Sequence, residues 1–210
     1  MSGPAALRAL AQRLMPAGFG CAVLPLAAAA PPLLGAETGA VARAIPRRRQ
    51  EFAIGRAALR AAIAEAGHAL PPDRPIPARP DRSPDLPAGI RASLAHAGDY
   101  CIAIAAPPGG PSVGVDIEPV ARDLPPGLAE AVAPFRARDL APEQAPLIAF
   151  CAKEAMFKAQ FPLTGRMVDF REVPAVIRPG RVRARLDRRL IGARWGEAGG
   201  CWLAISLWRG

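Results

Sequence analysis

Histidine is almost missing from this chain, with two in 210 residues. The four cysteines, Cys21, Cys101, Cys151 and Cys201, stand far apart. Nothing is paired at metal-ligand spacing, which argues against a zinc site. Each cysteine has apolar neighbours, such as Tyr100 and Ile102 around Cys101. That is the setting of a reduced, buried thiol in a cytosolic protein. Aromatic residues make up only 5%, so a core has to be assembled mainly from Ala, Val, Leu and Ile. Long apolar runs are also lacking. The best candidate, Val23–Leu34, is broken by Pro25, Pro31 and Pro32 and is too short to span a bilayer. It also begins too far into the chain for a signal peptide. A cytoplasmic protein without a membrane span is expected. No clear internal sequence repeat is present.

What is plentiful is apolar residues, proline and arginine. Half of the chain is apolar, enough for a real core in one large domain or two small ones. Prolines cluster at Pro71–Pro87 and Pro107–Pro146, which therefore read as loops and short elements. The formal charge of +9 favours an anionic partner without selecting one. Helices are expected over Ala5–Met15, Arg43–Ala66 (stopped by Gly67) and Pro146–Phe161. Strands are expected at Gly20–Leu24, Tyr100–Ala105 and Ser112–Ile117, the last two joined as a hairpin through Pro107–Pro111. Arg171–Leu186 reads as a further hairpin, and Leu190–Trp195 with Cys201–Trp208 as a final pair. The order of elements suggests an α+β fold of two similar halves, 1–108 and 109–210.

Chemistry concentrates in two stretches, Val113–Pro119 (VGVDIEP) and Phe150–Phe161 (FCAKEAMFKAQF). Side chains two apart on a strand share a face, so Asp116 and Glu118 emerge together while Val113, Val115 and Ile117 fill the other face. On the following helix, Leu147, Phe150, Cys151, Glu154, Lys158 and Phe161 fall on one side. Glu154 and Lys158 then sit within an apolar stripe, where unpaired charges are costly. A cation for Glu154 and an anion for Lys158 would remove that cost; an i,i+4 pair between the two is the alternative. Three acids beside Lys153 and Lys158 suit a magnesium ion bound to a polyphosphate. Arg47, Arg48, Arg49, Arg56 and Arg60 form a basic helix face. His96, in Ala92–Gly98, is placed just before a strand and can donate to a phosphate.

Together these motifs resemble the two signatures of the 4′-phosphopantetheinyl transferases, most closely the enterobactin synthase component D type. Arg47–Arg60 resembles that group's Arg-rich helix, Ser93–His96 its Ser-Leu-Thr-His stretch, and Phe161–Arg166 the continuation of its second motif. Matching segments run from about residue 43 to 170. The resemblance implies two similar α+β halves with coenzyme A in the cleft between them. It implies transfer of the 4′-phosphopantetheine arm of coenzyme A to a serine of an apo acyl or peptidyl carrier protein, releasing adenosine 3′,5′-bisphosphate. Siderophore, nonribosomal peptide, polyketide and fatty-acid synthesis are all open as the pathway served.

Carried over residue by residue, the resemblance makes Asp116, Glu118 and Glu154 ligands of Mg2+, for which Mn2+ may substitute. Glu154 would take the serine proton and Lys158 would stabilise the departing oxygen. Arg48, Arg56, Ser93, His96, Asp116, Lys153 and Lys158 would contact coenzyme A. Arg82 or Arg79 would supply a charge from the preceding loop, which departs from the family's Lys-Gly-x-Pro turn. Ala95 replaces the usual Ser or Thr before the histidine, removing a hydroxyl contact. The resemblance further implies a monomer that docks acidic carriers and binds no nucleic acid. The competing readings are a basic nucleic-acid-binding module and a degenerate member that binds coenzyme A or a carrier without catalysis. No nucleic-acid motif and no interleaved aromatics support the former, and the intact acids and lysines oppose the latter.

Overall fold

The structure, a computed structural model, describes residues 3–121 and 123–210. Its elements in chain order are α1 (Gly3–Leu14), β1 (Gly20–Pro25), α2 (Glu37–Ala40), α3 (Pro46–Glu65), β2 (Ala92–Ala97), β3 (Tyr100–Ala105) and β4 (Ser112–Pro119). There follow α4 (Leu128–Ala131), β5 (Phe135–Ala137), α5 (Ala145–Thr164), a 3-10 turn (Phe170–Glu172), β6 (Ala175–Arg178), β7 (Arg181–Leu186), β8 (Arg189–Ala198) and β9 (Cys201–Trp208). The fold is α+β, as expected. One sheet has the order β1-β3-β2 and the other β4-β9-β8-β7-β6-β5.

Side-chain alternation along the strands assigns each face to a core. In β3, Cys101, Ala103 and Ala105 pack under α3 with Ala58, Leu59, Ala62 and Ile63. Ile102 and Ile104 point the other way, into a middle core with Leu7 and Leu10 of α1, Val113, Val115 and Ile117 of β4, and Leu203 and Ile205 of β9. The opposite face of β9 and β8 packs Trp202, Ala204, Ile191 and Ala193 against Ala152, Ala155, Met156 and Ala159 of α5. Small residues on both long helices allow close helix–sheet approach, which is how so few aromatics suffice. All four cysteines are free and buried. Among the described residues no helix is long and apolar enough to cross a membrane.

The hairpin expected between Tyr100–Ala105 and Ser112–Ile117 does not form. β3 pairs with β1 and β2, while β4 pairs with β9. The Pro107–Pro111 segment is therefore the crossover from one sheet to the other, and proline in a chain that changes sheets has no ladder bond to lose. Ser93–His96 lies within β2, a strand the sequence reading placed only after it. The helix expected to end before Pro162 runs through it to Thr164 and stops at Gly165 in the left-handed region, φ +64°. Gly67, φ +86°, ends α3 as expected. The later strands form the two expected hairpins, with Val182, Ala184 and Leu186 buried and Arg181, Arg183 and Arg185 outside.

A shared contact relates the two sheets. A Cβ on Gly20 of β1 would lie 1.9 Å from the Ala62 carbonyl oxygen and 2.7 Å from the Ala66 nitrogen of α3. A Cβ on Gly114 of β4 would lie 1.9 Å from the Ala155 oxygen and 2.6 Å from the Ala159 nitrogen of α5. Each sheet thus meets its long helix backbone to backbone at a glycine. Gly114→Ala must move the helix carrying the site, so it should destabilise the protein by roughly 3 kcal/mol, at the upper end of overpacking costs. Urea unfolding checks this, and a cost below about 1 kcal/mol would contradict the close approach.

Candidate active site

A cleft of about 1280 Å³ opens between the two sheets' helices. One wall is α3 with Arg48, Glu51, Phe52 and Arg56, extended by the loop carrying Arg79 and Arg82. The floor is Ser93 and His96 of β2 with Asp116 of β4, and the far wall is Glu154, Phe157, Lys158 and Phe161 of α5. Glu154, Phe157, Lys158 and Phe161 are half-exposed, whereas α5 from Ala145 to Ala149 and from Cys151 to Lys153 is buried. Of the expected stripe, Glu154, Lys158 and Phe161 line the cleft, while Leu147 and Cys151 are buried in the core and Phe150 packs against it. Phe157 and Phe161 carry the apolar part of this wall, with ring centroids 5.4 Å apart.

Asp116 faces α5 because it is out of phase with Val115 and Ile117, which fill the middle core. Lys158 Nζ donates to Asp116 Oδ1 at 2.6 Å and to the Val115 carbonyl at 3.3 Å. Lys158 therefore pairs across to β4 rather than with Glu154 one turn earlier. Burial would lower the Lys158 pKa, but the Asp116 charge outweighs it and holds the ammonium protonated. Asp116 Oδ2 is buried and has no hydrogen-bond partner. Burial pushes the Asp116 carboxyl up, against the opposing pull of Lys158. Burial also raises Glu154, with Lys158 opposing and Asp116 adding. Ser93 Oγ accepts from the Val115 amide at 3.1 Å, so its hydroxyl is engaged in tying β2 to β4.

Three buried or half-buried carboxylates that disfavour their own ionisation have the chemistry of a divalent-cation site. Among the described residues, however, no three His, Cys, Asp or Glu side chains converge as a ligand set. The Lys158 ammonium holds one oxygen of Asp116, and the other is the orphan. That orphaned, buried oxygen is the observation that fits a cation.

On the opposite wall, Arg48 Nη1 lies 3.1 Å from His96 Nε2 and 3.3 Å from Glu51 Oε2. A guanidinium only donates, so Nε2 accepts and the ring is the neutral Nδ1–H tautomer. Burial lowers the His96 pKa, opposed by Glu51 and aided by Arg48 and Lys158, which agrees with a neutral ring. Arg56 lines this wall from within the protein. It is buried, stacks 4.0 Å over Phe52, and donates from Nε to the Ile76 carbonyl at 2.5 Å and from Nη2 to Pro77 at 3.3 Å. These bonds pin the start of the Arg79–Arg82 loop. The loop closes on itself through Arg79 N to the Ser83 carbonyl and Arg79 to Asp85, leaving Arg82 at its tip with φ +70°.

Lys153 is not brought to the site at all. It is buried on the core side of α5 and donates to the Phe170 carbonyl at 2.8 Å and to Pro134 at 3.3 Å. One residue before Glu154, it is turned about 100° around the helix, and that rotation removes it from the cleft. Glu118 lies on the same face as Asp116 but outside the cleft lining. Sequence reasoning missed Glu51, whose spacing from Arg47 and Arg48 was a usable signal. It also missed Glu37, fully buried, which accepts from the Ile76 and Leu34 amides and pairs with Arg60. Glu37 is 39 residues from Ile76, and no local pattern could expose it.

Glu118 is pushed up to about 7 from 4.5, first by burial and then by the charges of Asp116 and Glu154, with Lys158 opposing. An acid with a raised folded pKa costs the folded state stability as pH climbs from the unfolded value to the folded one. In EDTA, wild type should therefore lose stability between about pH 4.5 and 7 relative to Glu118→Gln, with a constant gap above that window. Thermal unfolding across this range checks the sign; parallel curves would contradict it.

Comparison with known proteins agrees with the geometry. The family model for the 4′-phosphopantetheinyl transferase N-terminal domain matches residues 36–106. That for the 4′-phosphopantetheinyl transferase superfamily matches residues 112–196. The chain is 36% identical over 185 residues to the 4′-phosphopantetheinyl transferase Svp of Streptomyces mobaraensis, covering 78% of this chain and 74% of that protein. It is 34% identical over 149 residues to the transferase Npt of Nocardia iowensis, covering 65% and 63%. It is 36% identical over 144 residues to the transferase PptT of Mycobacterium tuberculosis (strain ATCC 25618 / H37Rv), covering 65% and 61%. The match thus spans less than two thirds of the latter two. The two family models fall on either side of the crossover at Pro107–Pro111, one on each sheet, and this chain belongs to the 4′-phosphopantetheinyl transferase superfamily, a family of transferase enzymes.

Proposed function

We propose that this protein transfers the 4′-phosphopantetheine arm of coenzyme A to a serine hydroxyl of an apo acyl or peptidyl carrier protein. Adenosine 3′,5′-bisphosphate would be released. The observation that carries this reading is the buried, unpartnered Asp116 Oδ2 beside Lys158 and Glu154, facing an arginine wall across one cleft. Arg48, His96 and Arg82 would hold the nucleotide and its phosphates: Arg48 and Arg82 as charges, His96 through its free Nδ1–H. Arg56 would act mainly by fixing the loop that presents Arg79 and Arg82, and Ser93 by fixing β2 to β4.

The bond that forms joins the carrier serine oxygen to the phosphorus bearing the pantetheine arm, and the bond that breaks is that phosphorus to the bridging oxygen of the diphosphate. Glu154 would accept the serine proton; its raised pKa makes it a better base than an ordinary carboxylate. Lys158, charged and fixed by Asp116, would neutralise oxygens of the diphosphate. Asp116, Glu118 and Glu154 would hold Mg2+, with Mn2+ able to substitute; bound there, the ion neutralises charge on the diphosphate. The reading extends to a two-half division at residues 1–108 and 109–210, a cytoplasmic monomer and an acidic carrier drawn by the +9 charge.

The test is intact-mass spectrometry of an apo carrier incubated with coenzyme A and Mg2+. A gain of one phosphopantetheine arm, abolished by EDTA, is expected. No gain on any of a panel of carriers, with the protein folded, would contradict the reading. Glu154→Gln should lower transfer by at least about 100-fold without unfolding the protein. Lys153→Met, which removes a side chain turned away from the cleft, should keep transfer within about threefold. Equal losses in both variants would contradict the assignment of the cleft face.

A further inference from the structure

The six-stranded sheet carries a second charged surface, on the face opposite α5. Inward residues Val182, Ala184, Ile191 and Ala193 pack toward α5, so Arg181, Arg183, Arg185 and Arg194 stand on the outside. Register aligns Arg178 with Arg181 and Arg181 with Arg194, a row of three arginines across β6, β7 and β8. Like charges directly opposite on a sheet destabilise it. Among the described residues, the one acid paired with these arginines is Asp139, 4.0 Å from Arg178. Two large apolar side chains lie in the same field: Leu190, 72% exposed and opposite Arg185, and Val176, 41% exposed and opposite Arg183. α1 covers the neighbouring part of this face, where a Cβ on Gly196 would meet Leu10 at 2.8 Å. The arginine field begins where α1 stops.

We infer that this outer face of β6–β8 docks an acidic protein surface, as an interaction site separate from the cleft. Arginines rooted about 5 Å apart across strands and about 7 Å apart along them present guanidinium forks at the spacing of carboxylates on one face of a strand or helix. Arginine is enriched at protein interfaces, and here it stands beside the exposed aliphatic side chains of Leu190 and Val176. Nucleic acid fits the face poorly. The three tryptophans are buried, two of them meeting edge to face on the α5 side, so none of them offers an aromatic platform to bases on this face. Among the described residues, β6, β7 and β8 lie within the six-stranded sheet and no helix sits on the arginine field of their outer face to enter a groove.

The test is binding of a fluorescent poly-L-glutamate peptide to the full chain at ~0.15 M ionic strength, where long-range attraction is screened. The triple variant Arg181→Gln, Arg183→Gln, Arg185→Gln should weaken binding by about tenfold or more, while a charge-matched control, Arg13→Gln, Arg171→Gln, Arg209→Gln, should weaken it by less than about threefold. The triple variant should melt no lower than wild type, since it relieves the repulsion. Equal weakening in both variants would reduce the effect to net charge and overturn the inference. So would tighter binding of duplex DNA than of poly-L-glutamate, lost in the same triple variant. The readout is binding alone, so failure of the transfer reaction would leave it intact.

Discussion

The 2.6 Å pair between Lys158 and Asp116 is the constraint on which the cleft depends. It joins the last turns of α5 to the middle of β4, and Lys158 also takes the Val115 carbonyl. Burying such a pair is rarely favourable against well-packed apolar residues, whereas removing one partner alone is severe. The fold keeps both charges and leaves Asp116 Oδ2 without a partner. A site that accepts this cost is organised for a charged ligand rather than for stability. The close approach at Gly114 is what makes the pair possible, because it brings the α5 backbone against β4 two residues before Asp116.

The opposite wall rests on a different device. α3 spends two arginines on backbone carbonyls and a buried carboxylate: Arg56 on Ile76 and Pro77, Arg60 on Glu37. Glu37 in turn accepts from the Ile76 amide at 2.7 Å. The Pro-rich segment ahead of β2 has little regular structure, and these bonds fix its entry into the cleft. The basic helix read from the sequence as a phosphate contact is thus divided by depth. Arg48 and Arg56 both line the cleft, but Arg56 is buried and, with Arg60, holds the loop that delivers Arg79 and Arg82.

Much of the site was legible because period-two and signature patterns are local. Asp116 and Glu118 were assigned one face, Val113, Val115 and Ile117 the other, and the strands bear this out. The helix phase was harder. The helical stripe through Glu154 and Lys158 leaves Lys153 out, yet the resemblance carries Lys153 to coenzyme A, and the structure turns it into the core. Strand partners were also illegible: a glycine-proline turn between two apolar runs reads as a hairpin whether or not the chain changes sheets. Contacts across long separations, such as Glu37 to Ile76 and Ser93 to Val115, leave no trace in a single sequence.

The most direct measurement is calorimetric titration of coenzyme A, with Mg2+ present, into wild type and into the double variant Asp116→Asn, Lys158→Met. Removing both charges avoids stranding either one in the interior. Saturable binding by wild type, weakened by at least about tenfold in the folded double variant, is the predicted result. Equal affinity in the two proteins would show that the Asp116–Lys158 pair is not where the diphosphate sits, and would contradict the account of the cleft.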